Sequence, residues 1–321
     1  MIATRLTERF DLRHPIVLAP MAKVGGGKLA AAVSGAGALG LIGGGYCEPD
    51  WIDEQLDAAG NTAVGIGFIT WRLEGQPGLL RRVLDRHPRA VFLSFGDPAP
   101  HAPAIREAGV PLVCQVQNLA DARAALRAGA AAIVAQGREA GGHSDRRATM
   151  TLVPEVADLV AQEAPEVLVL AAGGIADGRG LAAALMLGAD GAVCGTRFWA
   201  ATEALAPPGH HAQGLAATGD DTIQTKVADV ARGFDWPERF DNRVIRNAFV
   251  DRWHGTPGAL ARDAAARDDW LRALAEGRTE VAGATVGEGI GLVHDTRPAA
   301  EIVAAIVAEA EALLAGGWKR V

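Results

Sequence analysis

The sequence predicts an α/β fold, a (β/α)8 barrel of the TIM type with an inserted, mainly helical cap. Three observations lead there. Eight short apolar runs, many rich in β-branched residues, recur between Pro15 and Thr196, each followed by turn residues and then a helical pattern. The runs lack the apolar/polar alternation of a half-exposed sheet, so both faces are covered, as in a parallel sheet wrapped by helices. Eight consecutive βα units favour closure over an open doubly wound sheet, and 321 residues accommodate a barrel of about 250 residues with an appendage.

In order, the predicted strands are Ile16–Ala19, Leu39–Ile42, Ala63–Gly67, Val91–Phe95, Leu112–Val116, Ala132–Ala135, Val167–Ala171 and Ala192–Cys194. Ala-rich stretches such as Asp121–Ala128 and Gly180–Leu187 supply connecting helices. The long connection Gln136–Thr151 reads as an extended loop at the functional face. After Thr196 the rhythm stops, and Pro, Gly, Trp and charged residues mix with helical pieces at Arg239–Trp253 and Gly258–Glu276, which we read as a helical cap. Arg297–Leu314 is amphipathic, carries Pro298 in its first turn and stops before Gly316-Gly317, as expected of a closing barrel helix. The expected division is a barrel of residues 1–203 and 296–321 with a cap of residues 204–295. Trp51, Trp71, Trp199, Trp236, Trp253, Trp270 and Trp318 are expected mostly in the core.

Composition excludes several classes. Hydrophobic residues make up 49% and charged residues 21%, enough apolar surface for a sizeable core and too much for a disordered chain. The net charge of −7, with no basic cluster interleaved with aromatics, argues against nucleic acid as a partner. Cys47, Cys114 and Cys194 are odd in number and form no C-x-x-C, so neither a disulfide framework nor a metal site is expected, and a cytoplasmic location fits. Met1–Asp11 carries charges where a signal peptide has an apolar core, and no apolar run is long enough for a membrane span. No G-x-S-x-G elbow, Walker A loop or H-E-x-x-H helix occurs. Gly35–Gly40 matches G-x-G-x-x-G but precedes a strand, so it is not a Rossmann fingerprint. Carboxylates near strand ends are too few for two-carboxylate glycosidase chemistry.

In such barrels chemistry sits at the C-terminal strand ends. The seventh strand runs into Ala172-Gly173-Gly174-Ile175 and the eighth into Gly195-Thr196 before the helical Arg197-Phe198-Trp199. Either glycine pair alone could simply close a tight turn. Both together, at the recurrent phosphate location of these barrels, describe an anion site built from backbone N–H groups and a helix N-terminus. The sixth strand leads into Gln136-Gly137-Arg138-Glu139-Ala140-Gly141-Gly142-His143. A neutral imidazole there suits proton abstraction from a carbon acid, although one histidine without a visible partner is equally an ordinary loop residue. His14, His87 and His101 are weaker candidates, and His210-His211 reads as a solvated pair in the cap.

These residues resemble the nitronate monooxygenases, formerly 2-nitropropane dioxygenases, and the related flavin-dependent enoyl and quinone reductases. The resemblance spans most of the chain. It rests on Leu18-Ala19-Pro20-Met21-Ala22, Ser94-Phe95-Gly96-Asp97-Pro98, Glu139–His143, Ala171–Ile175 and Gly195-Thr196, with weaker similarity at Arg246-Asn247 and Gly287–Gly291. It implies bound FMN, with Ala19, Pro20 and Met21 along the flavin ring, Gln115 and Gln136 bonding it, Gly141 and Gly142 passing close, and the phosphate on Gly173, Gly174, Gly195 and Thr196 beside Cys194. It also implies that His143 is the catalytic residue, deprotonating neutral nitroalkanes and binding anionic nitronates such as propionate 3-nitronate. The implied products are a carbonyl compound and nitrite, with dioxygen as oxidant. Two departures stand out. Gly67 replaces the asparagine many relatives carry after the third strand, and Ser144-Asp145 follows the histidine, so that Asp145 either orients His143 or merely bends the loop. The alternative function is an NAD(P)H-dependent flavin reductase acting on a quinone or an enoyl thioester. A third, from another class, is a flavin-free phosphate-binding barrel or a silent flavin carrier. The expected partners are a small-molecule substrate and dioxygen, with neither nucleic acid nor membrane, and homodimer formation is left open.

Overall fold

A computed structural model describes residues 2–76 and 78–317; Met1, Pro77 and residues 318–321, Trp318 among them, lie outside it. The strands are β1 (Ile16–Leu18), β2 (Leu41–Gly45), β3 (Gly65–Ile69), β4 (Val91–Ser94), β5 (Leu112–Val116), β6 (Ala132–Gln136), β7 (Gly142–Ser144), β8 (Leu168–Ala172), β9 (Gly191–Cys194), β10 (Thr222–Thr225) and β11 (Asp241–Ile245). Eight of them form one parallel sheet in the order β1-β9-β8-β6-β5-β4-β3-β2. The sheet closes on itself where Leu39, just before β2, bridges Val17 of β1, its N–H donating to Ile16 O and its carbonyl accepting from Leu18 N. The chain is therefore a closed α/β barrel, and every predicted barrel strand is present.

Closure accounts for the unbroken apolar runs. Val17, Leu41, Phe92, Val113, Val134, Leu170 and Val193 fill the interior, while alternate residues such as Ile16, Ile42, Leu93 and Ile133 pack outward against the helices. Leu6 and Phe10, from and just after the short Arg5–Arg9 helix, join the interior cluster. Two of the barrel helices start where the sequence supplies a capping side chain. Asn118 accepts from Asp121 N to open Leu119–Ala128, and Asp177 accepts from Gly180 N to open Gly178–Met186. The closing helix is Ala299–Leu314, with Pro298 at its N-cap position instead of inside its first turn. It packs so tightly on Gly178 that a Cβ there would stand 2.5 Å from Ala310 N.

The cap region differs from the expectation in two places. Arg239–Trp253 is not a helix: Asp241–Ile245 is β11, followed by Asn247 as N-cap of the Ala248–Trp253 helix. Gly258–Glu276 is broken at Asp263, whose backbone is non-helical and whose side chain caps the second piece, Ala264–Glu276. The predicted long loop contains β7, which pairs antiparallel with β11, itself paired antiparallel with β10. A three-stranded sheet thus ties the barrel's sixth connection to the cap. Trp199, Trp236, Trp253 and Trp270 are buried, whereas Trp51 and Trp71 are half-buried. No helix among the described residues is long and apolar enough to cross a membrane.

Candidate active site

A cavity of about 580 Å³ opens at the C-terminal strand ends, walled on the far side by the cap. The barrel contributes Ala19, Pro20 and Met21 after β1, Gly67 in β3, Gln115 in β5 and Gln136 at the end of β6. Gly141, Gly142 and His143 line it from the sixth connection, as do Gly173 and Gly174 after β8 and Gly195 and Thr196 after β9. Cys194 does not. Alternation along β9 turns Val193 inward and buries the Cys194 thiol in the outer core, with only its carbonyl near the site, accepting from Ala19 N at 2.9 Å.

The glycines are demanded by close approach. Gly173 and Gly174 have φ of +103° and +73°, which side chains rarely adopt, and a Cβ on Gly141 would lie 2.5 Å from Gly287 N. Gly287 N donates to Thr196 Oγ1 at 2.9 Å, fastening the Gly287–Gly291 stretch over this corner. The helix after Gly195 is only Thr196–Trp199, so an anion there meets unpaired first-turn N–H groups more than a macrodipole. At Gly67 a Cβ would stand 2.4 Å from the Pro20 ring, so proline occupies the space that an asparagine side chain would need.

His143 is buried, and its partner comes from the cap. Nε2–H donates to both carboxylate oxygens of Asp229, at 2.9 and 3.0 Å. Asp229 lies in the Val227–Arg232 helix with Val227, Ala228 and Ala231 buried around it. A carboxylate can only accept, so it fixes the proton on Nε2 and leaves Nδ1 with its lone pair; no described residue bonds Nδ1. Burial pushes the imidazole below the ordinary value of 6.5, Asp229 opposes that shift, and the positive charges of Arg232 and Lys226 add to it. The Trp236 indole stacks on the imidazole, ring centres 3.4 Å apart and planes 8° from parallel. Trp236 donates from Nε1 to the Tyr46 hydroxyl at 3.3 Å, and Phe95, strained at φ +65°, packs edge-on against both His143 and Trp236. Gln136 steadies the histidine's backbone, donating from Nε2 to His143 O at 3.2 Å while its Oε1 accepts from Gln117 Nε2.

Asp145 does not orient His143. It accepts from Arg146 N at 2.7 Å and faces Arg239 at 3.4 Å, so it bends and pins the loop. His210 and His211 are not a solvated pair, since each Nε2 bonds a carbonyl, Ala282 O and Trp199 O respectively, and His210 is buried. Arg246 pairs with Asp251 and Asn247 caps a helix, so both shape the cap. The sequence reading missed Asp229, Trp236, Tyr46, Arg232 and Asn242, all but Asp229 on the cavity wall. A signal for Asp229 existed: one acid enclosed by Val227, Ala228, Val230 and Ala231 is costly to bury unless it is paired.

Comparison with known proteins agrees with this geometry. The chain matches the nitronate monooxygenase family over residues 3–64 and 59–309. It belongs to that family. A nitronate monooxygenase of Neurospora crassa is 32% identical, the match covering 96% of this chain and 92% of that protein. Among solved structures, FabK from Thermotoga maritima superimposes with a TM-score of 0.85 at 30% identity, covering both chains completely. A nitroalkane oxidase from Streptomyces ansochromogenes gives 0.81 at 26% identity, over 96% of this chain and 99% of the other. As a member of the family the chain is an oxidoreductase, and the family's dependence on a flavin agrees with the cavity at its strand ends.

Proposed function

We propose that this protein binds FMN and oxidises alkyl nitronates, or the nitroalkanes they come from, with dioxygen to carbonyl compounds and nitrite. The observation that carries the reading is the His143–Asp229 pair, a buried base with its tautomer fixed, in a cavity whose strand ends form a glycine cradle. The residues fit FMN. Gly141, Gly173 and Gly174, kept bare by their protein neighbours and by positive φ at the latter two, would leave backbone open to the phosphate together with Gly195 and Thr196, and Ala19, Pro20, Met21, Gln115 and Gln136 would flank the ring. The flavin would supply the electron transfer between substrate and dioxygen.

The chain's own residues supply binding and proton transfer. His143 Nδ1 takes the proton from the carbon bearing the nitro group, and the electron pair of that C–H bond moves onto the nitro oxygens, giving the nitronate. The Asp229 carboxylate, accepting from Nε2, stabilises the imidazolium, as a carboxylate does behind a catalytic histidine. Trp236 presents its π-face to the same cation. The wall formed by Tyr46, Phe95, Phe234 and Trp236 keeps water from the forming carbanion, and Arg232 offers a positive charge to an anionic substrate.

The test is anaerobic. Propionate 3-nitronate, NADH and NADPH are mixed in turn with the FMN-loaded protein at equal concentration, and the visible absorbance is followed, with nitrite assayed after admission of air. A spectral change and nitrite with the nitronate alone are expected. Bleaching by a nicotinamide with the nitronate inert overturns the reading and assigns the protein to reductase chemistry on a quinone or enoyl thioester.

A further inference from the structure

We propose that Asn242 is a second catalytic residue, whose carboxamide hydrogen-bonds the nitro group while His143 removes the neighbouring proton. The assignment rests on the nitronate reading above and adds to it a residue that no sequence motif marks. In the β7–β11 ladder Asn242 stands directly opposite His143, which puts both side chains on one face of the sheet, with Cβ atoms about 5 Å apart. Both line the cavity. Its neighbour Arg243 points the other way, donating to Arg138 O and Thr222 Oγ1 and pairing with Glu288, so alternation leaves Asn242 facing the site.

Asn242 is 1% exposed, yet neither end of its carboxamide has a hydrogen-bond partner among the described residues, and Oδ1 is completely buried. Several other polar side chains around the base are paired: Gln136 with Gln117 and the His143 carbonyl, Asp229 with the imidazole, Tyr46 with Trp236. The amide's N–H groups can only donate, and no described residue accepts from them, so they remain for an acceptor oxygen of a bound ligand. Proton removal places a full negative charge on two nitro oxygens beside His143, and a carboxamide N–H can donate to one of them without itself bringing a charge.

The experiment compares N242A, N242S and N242D with the unsubstituted FMN-loaded protein. It measures kcat/KM for a neutral nitroalkane and for its preformed nitronate across pH, the FMN dissociation constant, and Tm. The expected result is a loss of about 10–100-fold on the nitroalkane for N242A, partial recovery in N242S, and unchanged FMN affinity. N242D should repel the nitronate, raising its KM, and shift the pH profile upward by placing an anion beside His143. If the active parent and N242A agree within two-fold on both substrates, the assignment fails and the nitronate reading stands. If N242A loses FMN affinity in proportion to activity, the residue serves the cofactor and the assignment again fails. A parent inactive on every nitro compound overturns the underlying reading and this assignment with it. Should N242A not fold, N242S and N242D decide the same question.

Discussion

Replacing Asp229 with asparagine removes the charge behind His143 while keeping the volume. In the ground state the pair is a neutral imidazole donating to a buried carboxylate at 2.9 and 3.0 Å. In the transition state of proton abstraction the imidazole becomes a cation whose charge centre is about 4 Å from that of the carboxylate, worth about 4 kcal/mol at an effective dielectric constant near 20. If the proton is about half transferred, about 2 kcal/mol of this is felt in the barrier, a loss of about 30-fold in rate, with about 1,000-fold as the limit of complete transfer. Asparagine also permits the other tautomer, so about 30-fold is a floor. The assay is kcat/KM for a neutral nitroalkane against its preformed nitronate, from pH 5 to 9. D229N should lose at least that factor on the nitroalkane and change the nitronate by less than about three-fold, because no proton leaves carbon in the second case. The pH dependence has a definite sign. The base works unprotonated and burial holds its pKa below 6.5, so the wild-type rate rises through a pKa under that value and then levels. Asp229 is what pulls that pKa upward, so D229N should reach its lower plateau at a still lower pH. Equal losses on both substrates, or an onset moving to higher pH, would refute the argument.

Four further outcomes follow from the same geometry. W236A removes the indole under the imidazolium and should cost about ten-fold on neutral nitroalkanes, in line with a desolvated cation–π contact of about 1–2 kcal/mol, with W236F recovering part of it. G67N forces a side chain against the Pro20 ring and should cost about 1–3 kcal/mol, read as a lower Tm and weaker FMN retention; a more stable, flavin-saturated variant would contradict the packing. Cys47, Cys114 and Cys194 are buried with thiols pushed up to about 12, so a thiol-specific chromogenic reagent at pH 8 should find no reactive group until guanidinium unfolds the chain. Burial depresses the pKa of His143 and His210, and of His14 and His101 as well, so the unfolded chain takes up protons first as pH falls. The stability they confer is complete above pH 6.5 and is lost below it, so Tm should fall from pH 7 to 5, less steeply in H210Q.

The barrel was legible because closure buries each strand on both faces and leaves continuous apolar runs as its trace. The cavity's barrel half was legible for a related reason, since Gly141, Gly173 and Gly174 are glycines on account of backbone approach and positive φ. What escaped was set by partners distant in sequence. Gly142–Ser144 has no strand character of its own and is extended because β11 lies beside it, and Asp241–Ile245 looks helical until that pairing is known. Cys194 was misplaced by one position of strand alternation. Asp145 was the nearby acid to consider for His143 in sequence, yet the functional acid lies 86 residues further along the chain from the histidine.

That separation bears on how the base comes into being. His143 sits on a strand of three residues, too short to hold its shape alone, and two paired strands remain marginal without further packing. β7 acquires its geometry only when β11, itself paired to β10, docks on it, and that docking also brings the helix carrying Asp229. The cap segment bearing Trp236 is fastened nearby, Lys226 donating to the carbonyls of Glu238 and Phe240 and Arg239 bonding Asp121 and Gln117 of the barrel. Gln117 passes the constraint to Gln136, and Gln136 to the His143 backbone. The barrel alone therefore holds the glycine cradle and a histidine of undefined tautomer, and the base with its fixed Nε2 proton exists only once the cap has folded onto it.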